Sequence, residues 1–529
     1  MGQDLERDDR HLGGQEVAEK YFAGLDLGTT GAKTIIFDMS GSPVASGYRE
    51  YGCYYPHPTW VEQDVDEMVA ALFETSKEAF SKSGIDPKDV ISVAASTTRG
   101  NCVFMDKDDR PLKLISWQDS RATEEVDLIA EKLGAEKFYE ITGMPNTTTW
   151  SLPKILYARA KEPELWEKTK KHVQLQDALL VALGAEGYFQ DESEIALMGL
   201  WDTDNHRFSE EIHDCFGLEW DMYPEVVQPG TVVGQIGKDI SEKSGFAVGT
   251  AICVGIGDQS AATVGAGVVW PGMLSVSLGT GGMAVAFLDQ KYRDPKGDTI
   301  ICNHAVEGAW QFEGLQNGSA GIFRWFRDEV ATLEREQCKN DGSDVYEVLT
   351  GMAGTVPPGA NGLLMIPHFA TAGTPHWNPY ARGLFFGLTL SHGKAHLARA
   401  CMEGIILEQR DIVQTILNNG ISLEKVRIIG GPTRSELWNQ IQADIYGMPT
   451  ETLEVTDAAV LGAGLAGPVG VGEFKDVREA VGALVKPKKR YEPIPENVKV
   501  YQEMFDIYTS VYASLESAGA YKKISAMQE

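Results

Sequence analysis

The sequence predicts a layered α/β protein made of two related halves, and three observations lead to that expectation. Helix and strand periodicities alternate early. Residues 66–83 put Met68, Val69, Leu72, Phe73 and Phe80 at helical spacing, and residues 89–95 (DVISVAA) form a short apolar run suited to a buried strand. Around residues 246–289 the pattern restarts, with strand, turn and small-residue helix in GTAICVGIGDQSAATVGAGVV and strand, turn, strand in GMLSVSLGTGGMAVAF. Finally, LDLGTTG at 25–31 returns as VSLGTGG at 276–282. The repeated device predicts a duplicated domain whose two Gly-Thr turns face one cleft, and such a cleft suits a polyphosphate.

Taken in order, the first turn (FAGLDLGTTGAKTIIFD, 22–38) allows two readings. Gly28 and Gly31 can close a tight hairpin by taking positive φ, with the threonines merely suiting strand ends. Alternatively, backbone N–H groups around Gly28, Thr29 and Thr30 form an anion cradle to which the hydroxyls add donors; Lys33 then adds positive charge and Asp26 a ligand for magnesium. Further on, VRIIGGPTRSELWNQIQADIYG (426–447) ends a strand in Gly430-Gly431, where the chain can pass close to a flat ligand. Ser435 falls near the start of the next helix, whose N-terminal dipole favours negative charge. The alanines and glycines of VTDAAVLGAGLAG (455–467) predict a helix packed closely on its neighbour, a plain structural contact.

A chain of 529 residues is too long for one core and suggests about two to four domains. Its 43% hydrophobic and 23% charged residues fit an ordinary soluble globular protein. A formal net charge of −29 argues against nucleic acid or an anionic membrane as partner, because so acidic a surface repels both. The seven cysteines form no C-x-x-C pair, so neither a zinc site nor a disulfide framework is expected, and the cytoplasm is the natural compartment. Residues 1–20 are charged and polar where a secretory signal needs an apolar run, and read as a disordered or tag-like leader. No stretch approaches the roughly 18 apolar residues of a membrane span.

These motifs, together with SWQDSR (116–121), PPGANGLLMIPHF (357–369) and TPHWNPYARGLFFGLTLSH (374–392), resemble those of the FGGY carbohydrate kinases, which include glycerol kinase and xylulokinase. The likeness runs from about residue 22 to residue 515, in the family's order. Gly383, Phe385, Gly387, Leu388, His396, Leu397, Ala400, Met402 and Glu403 fit the family's second signature, with Cys401 a minor departure. In the looser first signature Ser151 and Lys154 fit, and Tyr157 stands where the family prefers tryptophan. The resemblance implies two ribonuclease-H-like domains of the actin and hexokinase type with an interdomain cleft. The N-terminal domain, over 21–265, would bind sugar and phosphate; the C-terminal domain, over 266–515, would bind nucleotide; a tail follows over 516–529. The implied activity is transfer of the γ-phosphate of ATP to a hydroxyl of a small sugar or polyol, with ATP and Mg2+ bound, ADP as product and a homodimer as the expected assembly.

On the matching positions the resemblance makes Asp258 the catalytic base, although an aspartate in a strand-helix turn is otherwise a helix cap. Gln259 would hold a second hydroxyl beside it. Gly28, Thr29 and Thr30 would grip one part of the phosphate chain, Gly279 and Thr280 another, with Lys33 near the transferred phosphate and Asp26 acting on magnesium through water. Gly430, Gly431 and Ser435 fall on the adenine side. Arg99 matches an arginine with which glycerol kinase contacts its polyol, but Gly100 follows where glycerol kinase has a glutamate. The missing carboxylate counts against glycerol and leaves room for a bulkier acceptor. Xylulokinases usually carry methionine-histidine where this chain has Thr98-Arg99, which counts against xylulose too, and an autoinducer-2-type kinase, with an arginine here, is the alternative within the family. Trp117 either packs on the substrate's carbon skeleton or serves the core, and Asp119 and Arg121 are expected to form a structural ion pair. A non-catalytic actin-like nucleotide switch is the rival from another class.

Overall fold

The computed structural model describes residues 19–528, so the leader expected over 1–20 lies outside the described residues apart from Glu19 and Lys20. Two mixed sheets with helices packed on them carry the chain. In the first, the strands run in the order Val232–Gln235, Ala251–Gly257, Val90–Thr97, Tyr21–Leu27, Gly31–Asp38 and Pro43–Glu50. The second runs Ile300–Asn303, Trp310–Gln316, Gly282–Leu288, Gly272–Leu278, Leu423–Gly430, Thr450–Leu453 and Pro487–Tyr491. Each sheet has an antiparallel hairpin whose first strand lies parallel to a later one: Leu27 pairs with Ala32 and with Thr97, and Leu278 with Gly282 and with Gly430. The repeated Leu-Gly-Thr thus occupies the same place in both halves.

Local chemistry explains the elements that frame the site. The helix Val65–Ser83 begins where Asp64 accepts a hydrogen bond from the Glu67 N–H at 3.0 Å and ends at Gly84 in the left-handed conformation. Met68, Val69 and Leu72 bury its apolar stripe against the first sheet. Residues 102–223 include an insertion with its own core around Phe104, Phe138, Trp150 and Leu152, and that core also takes in Ile300 and Cys302 from the edge strand of the second sheet. The contact is backbone-close, with the Ile301 N–H donating to the Gly143 carbonyl at 2.8 Å.

The small-residue segment forms the helix Ala458–Gly464, which crosses the helix Asp258–Gly265. A Cβ on Gly265 would sit 1.8 Å from the Ala458 carbonyl oxygen, and one on Gly462 would sit 1.9 Å from that of Ala261. Close packing was legible in the sequence, but the crossing joins one half of the chain to the other.

Glu403 of the second signature is a buried node of the second half: it accepts from Arg399, from the Tyr501 hydroxyl at 2.7 Å and from the Gly359 N–H at 3.1 Å. Over the segment set apart as a tail, Tyr521 is buried with its ring 5.5 Å from that of Tyr512. Among the described residues no helix is long and apolar enough to cross a membrane.

Candidate active site

The carboxyl ends of the parallel strands in both sheets deliver the residues singled out from the sequence, as expected for a ligand site in an open α/β sheet. Asp258 follows directly on the strand Ala251–Gly257 and opens the helix Asp258–Gly265. Its Oδ1 accepts from the Gln259 N–H at 2.7 Å and from Arg99 Nε at 3.0 Å, and the carboxylate stays 27% exposed. With Oδ1 engaged twice, Oδ2 is the oxygen left to meet a ligand. Burial pushes the Asp258 carboxyl up, with Arg99 and the Gln259 N–H pulling against it. Gly257 is glycine because a Cβ there would lie 2.5 Å from Arg99 Cδ and 2.8 Å from Glu194 Oε2.

Arg99 is not an open donor. Its side chain is 3% exposed, and its two terminal nitrogens fork onto Glu313 at 2.8 and 2.9 Å. Glu313 is itself buried on the strand Trp310–Gln316, so the pair joins the two sheets. Burial pushes Glu313 up, but the guanidinium holds it below the usual carboxylate range. Gly100 has φ of +77°, and a Cβ there would come within 3.2 Å of the Thr149 carbonyl and 3.3 Å of Trp117 Cβ. The space expected beside Gly100 is therefore filled by Thr149 and Trp117. Beneath it the buried Lys154 donates to the carbonyls of Gly100, Thr149 and Trp150.

Trp117 is half-buried and its indole N–H donates to Thr29 Oγ1 at 3.2 Å, tying the turn after the strand Pro111–Ile115 to the first hairpin. Gln259 is half-buried one residue beyond Asp258. Asp119 and Arg121 form a buried bidentate pair, extended to Glu62 and to the Trp60 ring, 4.1 Å from the guanidinium carbon.

At the first hairpin the turn carbonyls are held by the protein: Tyr51 donates its hydroxyl to Gly28, and Gln63 donates to Thr29 at 3.0 Å. At the second, the Ser319 N–H takes the Thr280 carbonyl at 2.9 Å. The N–H groups of Thr29, Thr30, Thr280 and Gly281 have no hydrogen-bond partner among the described residues, which suits an anion cradle. The positive φ expected at Gly28 and Gly31 is not found. Gly31 is required for another reason, since a Cβ would sit 2.6 Å from the Arg49 carbonyl.

Asp26 is half-buried near this turn, and burial lifts its carboxyl to about 7, with Lys33 pulling it down and Asp258 and Asp457 pushing it up. Lys33 pairs with Asp457 at the start of the helix Ala458–Gly464. A carboxylate so starved of countercharge suits a hard cation. Among the described residues no three carboxylates, histidines or cysteines gather into a cage.

A cavity of about 660 Å3 opens beside the second hairpin, and Gly279, Thr280, Gly431 and Ser435 all line it, with Phe323, Tyr346 and Leu437 as apolar walls. Gly430 has φ of +99° and backs onto Leu278, where a Cβ would meet the carbonyl oxygen at 2.4 Å; next to Gly431 a Cβ would meet nothing within 4 Å. Gly430 therefore answers to the chain, whereas Gly431 faces open space. Ser435 caps the helix Glu436–Tyr446.

Two family models cover most of the chain: the FGGY family of carbohydrate kinases, N-terminal domain, over residues 21–265, and the C-terminal domain over residues 274–470. The chain belongs to the FGGY family of carbohydrate kinases. It is accordingly a phosphotransferase with an alcohol group as acceptor. This FGGY kinase is 29% identical to a gluconokinase of Bacillus subtilis (strain 168) over 500 residues, covering 94% of this chain and 96% of the relative. It is 28% identical to a xylulose kinase of the same organism over 495 residues, covering 93% and 97%. Its fold matches the crystal structure of ligand-bound xylulose kinase from Lactobacillus acidophilus with a TM-score of 0.86 at 24% identity, over 96% of this chain and 100% of that one.

Two residues of the FGGY kinase's cleft escaped the sequence reading. Glu313 and Asp457 lie far along the chain from Arg99 and Lys33, and neither belongs to a motif with its partner. The only signal for Asp457 was its place just before a helix of small residues.

Proposed function

We propose that this FGGY kinase transfers the γ-phosphoryl group of ATP to a hydroxyl of a small sugar or polyol, with Asp258 as the base. The observation that carries the reading is the Asp258 carboxylate: partly exposed, held through Oδ1 by Arg99 and the Gln259 N–H, and placed directly after the strand Ala251–Gly257. The names of the relatives, gluconokinase and xylulose kinase, support an acceptor of sugar size.

In the proposed reaction the acceptor's O–H proton passes to Asp258 Oδ2 while its oxygen forms a bond to the γ-phosphorus. The bond from that phosphorus to the bridging oxygen breaks, and ADP leaves with the electron pair. Burial serves this role, because a carboxylate raised above its ordinary range is the stronger base. Gln259 orients a neighbouring hydroxyl. The free N–H groups and hydroxyls of Thr29, Thr30 and Thr280 meet phosphate oxygens, and the cavity beside Gly431 and Ser435 takes the nucleoside. Magnesium, held at Asp26 through water, would neutralise charge on the phosphates.

The test is ADP release measured across glycerol, erythritol, pentitols, ketopentoses, gluconate and the autoinducer-2 precursor. At least one acceptor should raise the rate far above the acceptor-free level; silence across the panel with ATP still bound favours the nucleotide switch. Thr280→Val should weaken ADP about tenfold or more, since it deletes a hydroxyl donor to a charged group while keeping shape. Unchanged affinity in a calorimetric titration would make the second hairpin structural only.

A further inference from the structure

Arg99 is the cationic side chain beside Asp258, and it is already spent. Both terminal nitrogens fork onto Glu313 and Nε binds Asp258, so the trio of one guanidinium and two carboxylates sums to one negative charge when the base is ionised. Glu313 is fixed in its place: it is 1% exposed, and Gln311 and the Cys302 thiol also donate to it. Directly behind Gly257 lies Glu194, fully buried, its Oε2 without a partner among the described residues and its carboxyl pushed well up by burial. Two lysines singled out from the sequence are committed elsewhere. Lys33 is paired with Asp457 at the first hairpin, and Lys154 is buried on three carbonyls. A substrate carboxylate entering this end would find no free fork and would face a net negative field, whereas a hydroxyl can give its proton to Asp258 and take up hydrogen bonds from amides.

We infer that Glu313, reaching from the second sheet, makes the acceptor end select neutral polyhydroxy compounds over sugar acids by occupying the arginine that would otherwise clamp a carboxylate. Glu313 acts through Arg99 and is a positioning residue. The inference rests on the proposed kinase reading for the identity of the site, but it concerns ligand charge and can be read by binding alone.

The experiment compares a neutral ketose or polyol with an aldonate of matched length, gluconate against glucitol and xylonate against xylulose. Each is followed both by ADP release and by thermal shift of the ADP-bound enzyme. Wild type should prefer the neutral member of a pair by about 100-fold or more, because like charges brought together cost several kcal/mol. Glu313→Gln, which keeps shape and removes the charge, should narrow that ratio at least about tenfold, while Glu313→Asp should keep it. An aldonate that is the better ligand of wild type overturns the inference, and so does an unchanged ratio in a folded Glu313→Gln protein. Should Glu313→Gln fail to fold, the wild-type ratio and Glu313→Asp still decide. ADP release that stays silent while thermal shifts separate neutral from anionic ligands would count against phosphoryl transfer and for the charge selection.

Discussion

Asp258→Asn is expected to lower kcat by about 100- to 10,000-fold, the range for loss of a positioned general base. ADP affinity should stay within about threefold, because no nucleotide contact is removed. Asparagine keeps an oxygen for Arg99 Nε and the Gln259 N–H, so the geometry around position 258 should survive. The wild-type rate should fall on acidification with a midpoint above the ordinary aspartate range, since burial raises this carboxyl, and that limb should vanish in the variant. Steady-state rates across pH and an ADP titration measure both halves of the expectation. Equal losses of turnover and ADP affinity would remove Asp258 from the role of base.

The second large effect concerns stability. Gly265→Ala puts a methyl group 1.8 Å from the Ala458 carbonyl oxygen and 2.9 Å from the Gly462 nitrogen, where the neighbours are backbone and cannot swing aside. Overpacking costs about 1–3 kcal/mol and occasionally more, and a backbone-only contact belongs at the upper end. Thermal unfolding should begin several degrees lower, at roughly 2–4 °C per kcal/mol. The matched control is Gly482→Ala, in the helix Val477–Leu484, where a Cβ meets nothing within 4 Å. It should be neutral or stabilising by up to about 1 kcal/mol, as alanine is the better helix former. If both variants melt alike, the crossing is softer than its geometry states.

Much of this was written in short stretches of sequence. The hairpins are legible because strand, Leu-Gly-Thr and glycine are contiguous and occur twice, and Asp258 because an apolar strand delivers it into a turn. What stayed hidden was relational. Nothing near Arg99 in the sequence announces that Glu313, from the other sheet, takes its fork, and nothing near Lys33 announces its pairing with Asp457. Gly100 reads as a missing carboxylate, yet its positive φ and the nearness of Thr149 and Trp117 favour glycine on backbone grounds alone. Such facts depend on contacts between residues hundreds of positions apart, for which a single sequence has no local signal.

The two halves of the chain meet over a broad seam: the helix Asp258–Gly265 crosses Ala458–Gly464, which also packs on the first sheet, and the insertion meets the edge strand Ile300–Asn303 next to the Arg99–Glu313 pair. A single buried core takes side chains from both sheets at once, Phe22, Ile35 and Ala94 from the first and Met273, Phe287 and Ile429 from the second. Asp258 begins one of the crossing helices, so the residue proposed as the base is anchored in the seam between the halves.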